Sequence, residues 1–229
     1  MPSGSTRGWA TKKRLVLGQE ATDAKSNEIT AIPLLLERLE LRGALVTNDA
    51  MGTQTKIAQK ILDRGGDYLL ALKENWPATY AEVETLFVKP PPEMTIERHR
   101  TVESRYPGEF KFPRQAMLGM VQSTTERNGK TEHETRYYLC STELDAKSFA
   151  RAVRGHWGIE NRLHWLLDVV FREDLTRLRS GDGPENMAVV RHTALNMLSQ
   201  ATPITSCKNR RKKPGWEPDH LEQVLRRAA

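Results

Sequence analysis

Apolar and polar positions alternate in two rhythms along the first half of the chain, one with the period of a strand and one with the period of a helix. "KRLVLGQEAT" is an apolar burst that reads as a strand. "NEITAIPLLLERLELRG" follows with helical spacing; Pro33 falls in an early turn, where its missing N–H costs least, and Gly43 marks the exit. "ALVTNDA" is a short strand with a polar tip. "GTQTKIAQKILDRGG" sets Ile57, Ile61 and Leu62 at helical spacing and stops at a Gly pair, after which "DYLLALKEN" returns to strand. Strand, helix, strand, helix, strand predicts a three-layer α/β fold in which ligands sit beyond the carboxyl ends of parallel strands.

The helix "PATYAEVETLF" then runs into "VKPPPEM", where three consecutive prolines mark a hinge or boundary. From Thr95 to Leu144 the rhythm is short and alternating, and Asn128-Gly129 predicts one antiparallel hairpin. Helical spacing returns in "DAKSFARAVRGHWGIENRLHWLLDVVF" and in "GPENMAVVRHTALNMLSQ", with the loop "TRLRSGD" between them. The first ten residues, rich in Gly, Ser and Pro, are expected to be disordered.

Composition adds little to this outline. The 229 residues hold 35 Lys and Arg against 29 Asp and Glu, a net charge of +6 that would suit a polyanion without specifying one. Apolar residues make up 38% and charged residues 28%, with a mean hydropathy of -0.60, as in soluble globular chains. Cys140 and Cys207 follow no paired-thiol spacing, which excludes a disulfide framework or thiolate metal site and fits a reduced, cytoplasmic setting. No run of about 18 apolar residues occurs, so no membrane partner is expected.

Asp49 sits at the carboxyl end of a predicted strand, where α/β sheets place their chemistry, although a strand-end Asp also serves as a turn former or helix cap. On the helix around "RGHWGIENRLHWLLDVVFRED", spacing of about 100 degrees per residue puts Glu160, Asn161, His164 and Asp168 in one polar arc. Leu163, Leu166 and Val170 cover other sides, so the helix is expected to be buried with its polar arc satisfied by partners, a metal or water. An internal hydrogen-bond and ion-pair network is the alternative reading of His164 and Asp168.

"VTNDAMGTQTKIAQKILDRGGDYLLALKEN" and "RGHWGIENRLHWLLDVVFREDLTRLRSGDGPENMAVVRHTALNML" resemble the H-repeat-associated group of bacterial insertion-sequence transposases, within the DDE superfamily. The resemblance runs from about Arg14 to Leu198. It implies a ribonuclease-H-like core in which two Asp and one Glu hold two divalent ions, Mg²⁺ or Mn²⁺, with Asp49 matching the second Asp and Glu160 the Glu. It also implies that the β-rich segment between them is an insertion interrupting the core. Two-metal phosphodiester chemistry independently favours carboxylates as the hard ligands of Mg²⁺. The family's first Asp lies in an Asp-Gly-Lys stretch upstream of the segment matching "KRLVLGQ", whereas "MPSGSTRGWATKK" contains no Asp or Glu. The resemblance therefore implies a member whose N-terminal part, first core strand and first catalytic Asp are missing, with an exposed central sheet edge. Asp23 is a candidate replacement ligand. Broader insertion-sequence relatives carry Tyr, Arg and Lys where this chain has Val153, His156 and Leu167, a subgroup difference.

The expected organisation is a disordered leader over 1–13, a first core part over 14–92, a β-rich insertion over 93–144, core helices over 145–200 and a basic tail over 201–229. Lys73 and Asn75 end a strand near the expected cleft, where they either contact DNA or form a solvated turn. Arg151, Arg154, Arg177 and Arg179 bracket the Glu helix and could line a DNA path. "KNRRKK" supplies Lys208, Arg210, Arg211, Lys212 and Lys213, either as non-specific DNA contacts or as a solvated flexible terminus. His192 and Arg191 are read as structural on a helix packed through Val189, Leu195 and Leu198, and Trp157 and Trp165 as core residues first.

These readings lead to a DDE-type transposase homologue, bacterial and associated with chromosomal DNA, acting on double-stranded DNA at insertion-element ends and impaired by the absent first Asp. Its further expected partner is a second copy of the chain or a separately encoded N-terminal fragment. The alternatives are a non-catalytic DNA-binding or oligomer-forming remnant, and a metal-dependent nuclease with a rearranged first ligand.

Overall fold

The computed structural model describes residues 5–11, 13–21, 28–90, 95–98, 102–105, 111–127, 129–178, 180–200, 207–215 and 217–228. Asp23 and Arg179 lie outside them. The fold is mixed α/β and divides into two compact units, Ser26–His156 and Met1–Lys25 with Trp157–Ala229. No helix among the described residues is long and apolar enough to cross a membrane.

The Ser26–His156 unit is built on a six-stranded sheet ordered β3-β4-β8-β7-β6-β5, made of β3 (Leu45–Asn48), β4 (Asp67–Leu72), β5 (Thr95–Arg98), β6 (Val102–Arg105), β7 (Met117–Arg127) and β8 (Lys130–Cys140). β3 and β4 are parallel, joined by α2 (Thr55–Asp63), and every other pairing is antiparallel. β8 pairs directly with β4, Leu70 opposite Leu139, so the segment expected as an insertion extends the β3–β4 sheet. The hairpin turn falls where Asn128-Gly129 predicts it, Arg127 facing Lys130 across it and Gly129 taking a φ of +73°.

Alternation along the central strands loads both faces of this sheet. Tyr68, Leu70 and Leu72 of β4 and Tyr137 and Leu139 of β8 join α1 (Glu28–Arg38), α2 and α3 (Pro77–Val88) through Leu36, Ile57, Ile61 and Val83. Leu69, Tyr138 and Cys140 face the other way, against Phe149 and Val153 of α4 (Ala146–Gly158). The three layers follow from period-2 strands between helices with one apolar face each. Asp145 caps α4 by accepting the Ser148 N–H, which holds its carboxyl below the usual carboxylate range. Pro33 lies inside α1.

Two expectations for the chain start are corrected. β1 (Ser5–Ala10) falls in the segment read as a disordered leader, and it pairs antiparallel with β2 (Leu15–Ala21) in a separate two-stranded sheet. β2 is therefore not a strand of the six-stranded sheet. Its edge is claimed by Asn196 of α5 (Gly183–Gln200), whose side-chain amide bonds both the N–H and the C=O of Val16 at 2.8 Å. Val16 is buried with Leu163, Leu167, Leu195 and Leu198, the core of this second unit.

Candidate active site around Asp49

Asp49 begins the turn that carries the chain from β3 back into α2. Its N–H donates to Asn48 Oδ1 at 3.0 Å, and its own Oδ1 accepts the Gly52 N–H at 3.1 Å, an arrangement that short polar side chains favour in turns. Gly52 is required by close approach: a Cβ there would lie 2.0 Å from Asn48 Nδ2. The turn is tied to the exit of β4. Asn75 Nδ2 donates to Ala50 O and Trp76 Nε1 to Thr53 O, both at 2.7 Å. The buried Thr53 hydroxyl lies 2.6 Å from Ala71 O and 3.0 Å from Asp49 O.

The outcome is an exposed carboxylate on a rigid turn at the carboxyl end of a parallel strand, with one oxygen fixed by a backbone N–H. The described residues offer its second oxygen no hydrogen bond, so the donor available there is a hard, accessible oxygen that fits Mg²⁺ or Mn²⁺. Thr47, two residues back on β3, places its Oγ1 3.2 Å from His156 Nδ1 and so links the end of α4 to the strand that carries Asp49.

Asn75 is exposed, but its amide is committed to Ala50, so it holds the Asp49 turn. Lys73 is exposed beside it. Arg151 and Arg154 are exposed on α4, opposite the face that buries Phe149, Ala150 and Val153. Sequence reasoning passed over Asn48, Gly52, Thr53 and Trp76. The one signal that could have found them is the density of small polar residues in "TNDAMGTQT" between strand and helix.

Glu160 belongs to the second unit, where the chain leaves α4 as a π-helical turn, Ile159–His164, followed by another, Leu166–Val170. The side chains of Glu160, Asn161 and Arg162 lie outside the described residues. The expectation of a buried all-round apolar helix is corrected: Leu163, Leu167 and Val170 are buried, whereas His164 is exposed and Trp165 and Val169 are 54% and 55% exposed. Bonding from i to i+5 widens the turn, so residues four apart no longer stack and a 100-degree wheel misplaces them. Trp157 is likewise partly exposed and Val189 is exposed, while Leu195 and Leu198 pack as expected.

The basic tail is also corrected, because it folds. Lys208, Arg210, Arg211 and Lys212 lie on α6 (Cys207–Lys212), and Lys213 begins a 3-10 turn before α7 (Pro218–Ala228). Arg210 Nη1 donates to Leu198 O at 2.5 Å and Arg211 stands 5.5 Å over the Phe171 ring. Lys213 meets Glu217 at 3.4 Å, leaving Lys208 and Lys212 as the exposed cations of the run. Among the described residues, no three His, Cys, Asp or Glu side chains group to hold a metal.

Residues 8–197 match the transposase DDE domain family. The chain belongs to that family. It is 36% identical over 241 aligned positions to YbfL of Escherichia coli K12, covering 95% of this chain and 64% of that protein. It is 37% identical to YncI of Escherichia coli O157:H7 and 34% identical to the H repeat-associated YhhI of Escherichia coli K12, covering 95% of this chain in each case. The chain spans 62% and 64% of those two relatives, less than two thirds of their length. The H repeat-associated relative agrees with the resemblance read from the motifs.

Proposed function

We propose that this chain contributes the second Asp and the Glu of a DDE-type DNA transposase on a ribonuclease-H-like core, with Asp49 and Glu160 holding divalent ions and double-stranded DNA at insertion-element ends as substrate. The observation that carries this reading is the exposed Asp49 carboxylate, oriented by Gly52 at the carboxyl end of β3 and locked by Asn75, Trp76 and Thr53. Bound Mg²⁺ would supply the charge that activates an attacking oxygen and stabilises a leaving one. The protein's share is positional: Asn48 and Gly52 fix the carboxylate, and the Thr47–His156 bond holds α4 against β3 just ahead of the Glu160 segment. The sequence contains no Asp-Gly-Lys stretch, so this reading assigns these residues two of the three carboxylates. Calorimetric titration with Mn²⁺ tests the proposal. Binding to the native chain that is lost in Asp49→Ala and in Glu160→Ala supports shared coordination; native-like binding in both variants overturns it. The second reading, a non-catalytic DNA-binding relative, draws on the net charge of +6 and the exposed Lys208 and Lys212. It predicts duplex binding without metal binding.

A further inference from the structure

Beside the Asp49 turn, the start of α2 and the segment entering β7 enclose an open cavity of about 470 Å³, lined by Thr55, Lys56, Gln59, Lys111, Phe112 and Pro113. Its charge is one-sided. Lys56 and Lys111 are both exposed, they come from different elements, and among the described residues no Asp or Glu lines the space. Neither lysine forms an ion pair among the described residues, although nearby Lys60 pairs with Glu37 and Arg114 with Asp67.

The walls are firm. Phe112 is buried and meets Trp76 edge-on at 5.1 Å, and the Tyr68 hydroxyl donates to Pro113 O at 2.7 Å. Ile57 and Ala58 anchor the first turn of α2 in the core. Trp76 is also the residue whose indole holds Thr53 O, so one side chain braces both the cavity wall and the turn that presents Asp49.

We propose that this cavity is a phosphodiester-binding site that anchors the backbone of duplex DNA next to Asp49, with Lys56 and Lys111 each neutralising a phosphate. This rests on the reading of DNA as the substrate and adds residues to it. Two ammonium groups without an ion-pair partner among the described residues attract phosphate oxygens, and the apolar edge of Pro113 suits a deoxyribose face. The open mouth suits a polymer laid across it, which a small anion would not need. Lys56 and Lys111 meet phosphates and not base edges, so their contact positions DNA without choosing its sequence.

The test is fluorescence anisotropy of the whole chain with labelled duplexes over a salt titration. Lys56→Gln/Lys111→Gln should weaken binding equally on duplexes of different sequence and lower the slope of log K against log salt by about two, one phosphate contributing roughly 0.9. Lys56→Arg/Lys111→Arg should keep the slope, as should a control pair, Lys89→Gln/Lys147→Gln, also exposed. A Gln pair with native circular dichroism and an unchanged slope overturns the site while leaving the DNA reading intact. No duplex binding by the native chain overturns both. Saturable binding of inorganic phosphate, lost in the Gln pair with duplex affinity unchanged, overturns DNA in favour of a small anion.

Discussion

His192 sits in the middle of α5, 6% exposed, with its Nε2 buried and without a hydrogen-bond partner among the described residues. Burial, with the nearby positive charges of Arg7 and Arg191 adding to it, pushes its pKa down to about 4. Arg7 itself is paired with Glu173 at 2.9 Å, so the ring faces a guanidinium held in place. The folded ring therefore stays neutral where the unfolded one, with a pKa of about 6.5, takes up a proton. The contribution to stability is complete above about pH 6.5 and is lost as pH falls toward 4, by an amount on the order of 3 kcal/mol. Urea midpoints at pH 7.5 and pH 5 should differ clearly for the native chain and much less for His192→Leu. An equal difference in the two proteins would show that other groups set the acid limb. At Asp49 the corresponding residue-scale demand is geometric: Gly52→Ala should push Asn48 aside and weaken Mn²⁺ binding while leaving the core intact.

At the scale of elements, the seat of α4 rests on one close approach to the sheet. Phe149 is fully buried and lies edge-on to Tyr138 at 5.6 Å, and it fits only because β7 has a glycine beneath it: a Cβ on Gly119 would come within 2.3 Å of the Phe149 ring. Gly119→Ala should cost on the order of 3 kcal/mol through overpacking, and adding Phe149→Leu should restore part of it. A thermal melt of the single and double variants checks this, and strictly additive losses would sink the packing argument. The same elements show what a sequence can reveal. α2, β4, α3 and the β7–β8 hairpin were legible because each carries its own period and its own stop signal. Asp49 was legible as a strand-end residue, and motif likeness raised it to a site. The partner of β2 was not legible, because an apolar burst does not say which edge it joins, and Asn196 makes that choice from about 180 residues away. The π-helical turns escaped because a helical wheel assumes the very spacing that they break, which is why Trp165 was read as core and is exposed.

At the scale of the whole chain, the C-terminal basic run has two separable roles, and they predict opposite results from two kinds of change. Val224 of α7 is 5% exposed within the cluster that holds Leu163, Leu167 and Leu195, and Cys207 packs against the same cluster. Arg210 and Arg211 face inward, to Leu198 O and the Phe171 ring. Removing residues 207–229 should therefore destabilise the unit that contains β1, β2 and α5, and Val224→Ala alone should cost roughly 2 kcal/mol. Lys208 and Lys212 carry none of that packing. Lys208→Gln/Lys212→Gln should leave the melting temperature unchanged and reduce the salt slope of duplex binding, at most by about two if each meets one phosphate. The decisive comparison measures stability and duplex affinity on all three variants. A truncation that loses DNA affinity at full stability would restore the flexible-tail reading. A Lys-to-Gln pair that melts early would place those lysines in the fold.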